Sequence, residues 1–266
     1  MSTFLDIIVA AKRNRIADAK RTANMPDLEA RAHENAKRPG RLAEALGKPG
    51  PTIIAEFKRA SPSKGVINFR LDPVAAASAY AEGGASAVSV LTEEDFFAGS
   101  LADLTAIRET VSIPVLRKDF TIDEFQIVES SAAGASAILL IVAALDKAQL
   151  RDFRTAAESL GLDAIVEVHD RKEMETAIDS GASIIGVNNR NLKTFEVSFD
   201  VSRSLIGLRP AGVLMIAESG ISNADEIAEL HALGFEAFLI GETLMRSGDP
   251  ADELKRLLNA TETAGA

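Results

Sequence analysis

The chain has 266 residues, 47% of them hydrophobic and 26% charged, a balance that supplies a sizeable core and excludes a disordered protein. Its formal net charge of -10 argues against nucleic acid as a partner. A small anionic substrate stays allowed, because a few cations inside one cleft can dominate the local field. With no cysteine present, disulfides, thiolate nucleophiles and zinc–thiolate sites are excluded, and a reducing compartment is permitted.

Residues 1–50 differ from the rest. Met1 to Ala11 lacks a basic start and carries Asp6 inside its apolar run, so it reads as an amphipathic helix and not a signal peptide. Leu5, Ile8, Val9, Lys12 and Ile16 keep a helical period. Met25-Pro26-Asp27 interrupts it, Asp27 is placed to cap a second short helix, and Pro39-Gly40 breaks the chain again. This extension reads as a lid or packing cap on the main domain. No apolar stretch approaches the roughly 18 residues of a membrane span, so no membrane is expected as partner.

From Thr52 onward, short apolar runs alternate with helix-period segments. Strands are predicted over Thr52–Phe57, Ala87–Leu91, Pro114–Arg117, Ala137–Ile141, Ala164–Val168, Ile184–Val187, Val213–Ala217 and Ala237–Ile240. Helices are predicted over Pro73–Glu82, Ile122–Ala133, Lys147–Leu160, Arg171–Ser180 and Ala224–Leu233, with glycine just beyond most of them. The strands are almost continuously apolar, as parallel strands buried on both faces must be. Eight such units in a chain near the roughly 250 residues of this architecture predict an α/β fold, a closed (β/α)8 TIM barrel, in one domain spanning 1–266. The competing doubly wound sheet lacks a glycine-rich dinucleotide loop after the first strand.

In such barrels the chemistry sits at the C-terminal strand ends. With a period of two, Ile54, Glu56 and Lys58 share one face of the first strand. Glu and Lys entering a barrel interior are costly unless paired or used. Strand three ends Arg117-Lys118-Asp119, strand five Glu167-Val168, strand six Asn188-Asn189-Arg190 and strand seven Glu218-Ser219-Gly220. Five strand ends thus aim polar groups at one space. Gly220 and Gly241, in the two loops where barrels commonly hold phosphate, let backbone N–H groups approach an anion. His33 and His231 read as surface or helix-end residues and His169 as structural, with no metal-ligand spacing among them. Glu93 and Glu94 read as solvated loop residues.

Five segments carry a family resemblance: Ile-Ala-Glu-Phe-Lys-Arg-Ala-Ser-Pro-Ser-Lys-Gly (54–65), Leu-Thr-Glu-Glu-Asp-Phe-Phe-Ala-Gly-Ser (91–100), Leu-Arg-Lys-Asp-Phe (116–120), Gly-Val-Asn-Asn-Arg-Asn-Leu (186–192) and Ala-Glu-Ser-Gly-Ile (217–221). Together they resemble indole-3-glycerol phosphate synthase over essentially the whole chain. The first and third are highly specific; the Ser-Gly loop occurs in other phosphate-binding barrels. The resemblance implies a small phosphorylated substrate, 1-(2-carboxyphenylamino)-1-deoxyribulose 5-phosphate, closed to an indole with loss of carbon dioxide and water, without cofactor or metal. A cytoplasmic monomer is expected, and one barrel with its extension accounts for all 266 residues, leaving no room for a fused second enzyme.

By matching position, Lys118 looks like the general acid for the ribulose carbonyl, and Glu167 like a group that stabilises positive charge or handles a proton. Glu56 and Lys58 look like a pair serving dehydration and holding the substrate carboxylate. Asn188, Arg190 and Glu218 would orient the substrate, and Ser61 and Pro62 would contact it. Ser219, Gly220, Gly241 and Glu242 would hold phosphate, while Phe97, Phe120 and Leu139 would wall the anthranilate ring. A Brønsted argument adds the expectation that the Lys118 pKa is lowered. Some members carry serine where this chain has Glu242, so its side chain is expected to turn outward, leaving its N–H to the phosphate. Phosphoribosylanthranilate isomerase, a neighbouring barrel whose family uses a cysteine, fits a cysteine-free chain poorly. A non-catalytic sugar-phosphate sensor would have no reason to bury Glu56, Lys58 and Lys118 together.

Overall fold

A computed structural model describes residues 3–37 and 42–262, so the break expected at Pro39-Gly40 lies outside the described residues. Helix α1 (Phe4–Thr22) opens on a capping box, Thr3 and Asp6 each satisfying the other's backbone N–H. Helix α2 (Met25–Ala36) is capped by Asn24, not by Asp27, whose N–H instead donates to the Asn24 side chain. Pro26 sits inside the first turn, where its missing donor costs nothing, so the helix starts before the proline. A short third helix, α3, spans Leu42–Leu46.

Eight parallel strands then close into a barrel. They are β1 (Thr52–Phe57), β2 (Ala87–Leu91), β3 (Val115–Lys118), β4 (Ala137–Ile141), β5 (Asp163–Val168), β6 (Ile184–Asn188), β7 (Leu214–Glu218) and β8 (Ala237–Ile240). Pairing runs from each strand to the next, and β1 closes the ring on β8 through Thr52↔Ala237 to Ala55↔Ile240. Strands β3, β6 and β7 run one residue past the sequence expectation, so Lys118, Asn188 and Glu218 leave from ordered strand and not from loop. None of the helices among the described residues is long and apolar enough to cross a membrane.

The pleat divides each strand between two cores. Ile53, Ala55, Phe57, Val88, Val90, Ile138, Leu140, Val166, Ile185 and Phe238 face the helix layer. Ile54, Leu116, Leu139, Ile141, Ile165, Ile184, Ile216 and Leu239 fill the barrel interior. Leu42 and Leu46 of α3 join that inner cluster, and the Ala43 N–H donates to Asp163 at the start of β5, so α3 plugs the N-terminal mouth. The other mouth is left to polar groups.

Period two also sorts the β3 end. Lys118 enters the barrel, whereas Arg117 points outward, bonding Thr92, the Gln126 carbonyl, Ser130 and Glu129 in the helix layer. Of the Arg117-Lys118-Asp119 run, only the lysine side chain joins the inner cluster of charges.

Candidate active site

The C-terminal mouth opens into a cavity of about 750 Å³, and every residue named above as catalytic or substrate-binding lines it. At its floor β1 delivers Glu56, β3 Lys118, β5 Glu167, β6 Asn188 and β7 Glu218, with Glu56, Glu167 and Glu218 each no more than 3% exposed. Lys118 Nζ lies 2.7 Å from Oε2 of Glu218 and 3.1 Å from Oε2 of Glu167. Lys58, just past β1, pairs with Glu56. Two ammonium and three carboxylate groups therefore share one water-poor space.

Their titration follows from that crowding. Burial pulls the Lys118 pKa down, but the carboxylates of Glu218, Glu167 and Glu56 outweigh it and drive it above the ordinary lysine value. The lowered value expected from the sequence is thus reversed, because barrel closure surrounds this ammonium with anions and not with cations. Burial pushes Glu167 up, but Lys118, His169 and Asn188 together hold it below the usual carboxylate range. Glu218 goes the other way: burial raises it, Lys118 only partly offsets this, and Glu167 and Glu56 raise it further. Its Oε1 is buried without a hydrogen-bond partner, set against the bare backbone of Gly186.

His169 is closer to this chemistry than its sequence context suggested. Nε2 stands 3.3 Å from Oε1 of Glu167, poorly aligned for a hydrogen bond, and Nδ1 lies 3.0 Å from Oε2 of Glu173. Burial lowers its pKa, but Glu167 and Glu173 push it up to about 10, so it faces Glu167 as a cation. His33 and His231 are exposed on their helices, as expected. Glu93 is fully buried and not solvated; Glu94 is exposed.

Arg190 stands at the rim. Its N–H donates to Asn188 Oδ1 at 3.0 Å, its guanidinium donates to the Phe195 carbonyl at 3.0 Å, and no carboxylate among the described residues lies within ion-pair distance. Beyond β7 the chain passes through Ser219 (φ 67°) and Gly220 (φ 90°), both left-handed, before the helix Ala224–Leu233. Asn189 fixes that exit by donating from its side chain to the Glu218 carbonyl at 3.0 Å. A Cβ on Gly241 would stand 2.4 Å from Oε1 of Glu56, so this glycine also admits the Glu56 carboxylate. Glu242 lies at the mouth with its side chain 32% exposed, Oε1 3.1 Å from Arg246 Nε and 3.5 Å from Lys64 Nζ.

The apolar side is a wall made by Phe97 and Phe120, packed on each other with ring centroids 6.1 Å apart and planes tilted by 43°, together with Leu139. Phe4, Leu5 and Ile8 of α1 extend it, a contribution that helical period alone does not reveal. Ser61 and Pro62 border the opposite edge, where Ala60–Ser61 and Gly65–Val66 form a two-stranded turn.

Fold and site together define a (β/α)8-barrel enzyme with its ionisable groups at the C-terminal strand ends. A family model described as indole-3-glycerol phosphate synthase matches residues 5–257. The chain is 48% identical over 258 residues to the indole-3-glycerol phosphate synthase of Desulfotalea psychrophila, covering 97% of this chain and 99% of that relative. The Lacticaseibacillus paracasei protein of that name is 49% identical over 247 residues, covering 92% and 94%. Among solved structures, 3-hexulose-6-phosphate synthase from Salmonella typhimurium superposes with a TM-score of 0.65 at 16% identity, over 80% of this chain and 99% of that one, a likeness of fold alone. The chain belongs to the indole-3-glycerol phosphate synthase family, decarboxylating, ring-closing lyases of tryptophan biosynthesis.

Proposed function

We propose that the cavity converts 1-(2-carboxyphenylamino)-1-deoxyribulose 5-phosphate to indole-3-glycerol phosphate with Lys118 as the general acid of ring closure. The observation that carries this is the Lys118 ammonium held between Glu167 and Glu218 at the cavity floor. As the aromatic carbon attacks the ribulose carbonyl, the oxygen gathers negative charge and takes a proton from Nζ. An alkoxide is a far stronger base than any amine, so the raised lysine pKa keeps the group loaded without preventing the transfer. Carbon dioxide then leaves, and the new hydroxyl departs as water.

The other roles follow from charge and shape. Lys58 offers its ammonium to the substrate carboxylate and, with Glu56, serves the dehydration. Glu167, kept ionised by Lys118 and His169, faces the positive charge that develops on the substrate. Glu218, held by Lys118, orients the substrate together with Asn188 and Arg190. Phosphate lies against Ser219, Gly220, Gly241 and the Glu242 N–H, and the ring lies against the wall of Phe97, Phe120 and Leu139. We place the whole chain as one barrel domain with its helical extension, acting as a cytoplasmic monomer on small molecules.

The test is direct, because the protein has no tryptophan and its own indole fluorescence is dark. Incubation with the carboxyphenylamino-ribulose phosphate should produce growing indole fluorescence with one carbon dioxide released per indole. Binding without fluorescence would leave a sensor and refute the enzyme.

A further inference from the structure

Lys12 belongs to α1, far in sequence from the strand ends, yet it is only 5% exposed. Its Nζ lies 2.8 Å from Oδ1 of Asp119 and 3.9 Å from Oε1 of Glu93. Each carboxylate holds the backbone beside one ring of the aromatic wall. Asp119 Oδ1 accepts the Phe120 N–H at 2.8 Å. Glu93 accepts the N–H groups of Asp95, Phe96 and Phe97 at 3.2, 2.7 and 3.2 Å. Among the described residues, Lys12 is the one cation within ion-pair distance of the fully buried Glu93; Asp119 has Arg117 besides, at 3.4 Å. Leaving a buried carboxylate without its cation is costly, so the ammonium draws the two acidic groups toward one point.

We infer that Lys12 is a positioning residue for substrate binding: its ammonium ties the Phe97 loop after β2 to the Phe120 segment after β3 and thereby holds the two rings of the aromatic wall in register. The extension is then part of the binding site and not solely a cap. Arg15, one turn on, repeats the contact at the surface, pairing with Glu94 at 3.1 Å and Asp95 at 2.5 Å, and Phe4 packs edge-on against Phe96 at 5.4 Å. Helix α1 therefore grips the β2 loop along its length. This inference rests on the reading of Phe97 and Phe120 as ring walls.

The aromatic wall meets the ground state and the transition state alike, so loosening it should fall on KM and spare kcat. Lys12→Met should raise KM about tenfold with kcat within about threefold, and Lys12→Arg should recover part of the loss. Glu93→Gln, which keeps an acceptor for the loop but removes the charge Lys12 grips, should raise KM in the same direction, and it decides the matter if Lys12→Met does not fold. Ile16→Ala, a destabilising change elsewhere in α1, should lower Tm and leave KM within about twofold, which separates positioning from mere stability. A KM unchanged in Lys12→Met, or in Glu93→Gln where that arm must decide, would overturn the inference. Phe97→Ala and Phe120→Ala guard the reading beneath it. If both raise KM while the Lys12 and Glu93 variants do not, the inference alone fails; if neither does, the wall assignment fails with it.

Discussion

A Cβ placed on Gly186 of β6 would stand 2.1 Å from Oε1 of Glu218 on β7, so the bare backbone of one strand is what admits the carboxylate of the next. A strand interior gains nothing from glycine on propensity grounds, and here the residue is explained by close approach alone. Gly186→Ala should push Glu218 out of line with Lys118 and lower kcat by about 100-fold, the scale on which a misplacement near 1 Å acts. Steady-state kinetics beside far-UV circular dichroism would check this; wild-type kcat in a folded variant would show that Glu218 tolerates the shift.

Glu218 also sets an expected pH dependence. Burial, then Glu167 and Glu56, push its pKa up to about 7 against the pull of Lys118. As pH falls through that value Glu218 takes up a proton and Lys118 loses one of its anions, so kcat/KM should rise with pH across neutrality and then level. Glu218→Gln should abolish this acid limb along with most activity. The stability sign is opposite. A carboxyl whose pKa rises on folding disfavours the folded state once it is ionised there, so wild type should lose stability relative to Glu218→Gln as pH climbs from about 4.5 to about 7. Chemical denaturation of both proteins across that range tests the sign, and an acid limb unmoved by the substitution would assign it to another group.

Glu242 carries a negative charge beside the proposed phosphate position, where it occupies Lys64 and Arg246. Glu242→Gln should free both cations and lower KM about twofold to threefold at low ionic strength, with the gain fading as salt screens these half-exposed groups. A KM that rises instead would mean that the ordering of Lys64 and Arg246 by Glu242 matters more than its charge.

Much of this was legible in the chain. Apolar runs located all eight strands, because a strand buried on both faces has no polar positions to blur it; period two put Glu56 on the inner face, and strand-end position picked out Lys118, Glu167, Asn188 and Glu218. The same period separates Arg117 from Lys118, although a strand end read as a unit conceals it. Other features depend on contacts between distant segments. Lys12 looks like one more helical cation until α1 docks on the β2 loop. Glu93 looks solvated until the loop folds its N–H groups onto it. The direction of the Lys118 shift could not be read from β3, because the carboxylates that decide it arrive on β1, β5 and β7. Gly186 gave no signal, since its meaning lies in a neighbour's side chain.

The account depends most on one ammonium at the cavity floor. Lys118→Ala should retain the circular dichroism spectrum and cooperative unfolding of the wild type, the neighbouring carboxyls adjusting by taking up a proton. Its kcat for indole formation should fall by at least about 1000-fold, the upper part of the range for general acid catalysis. Turnover within about tenfold of wild type in that folded variant would contradict the assignment of Lys118 as the acid.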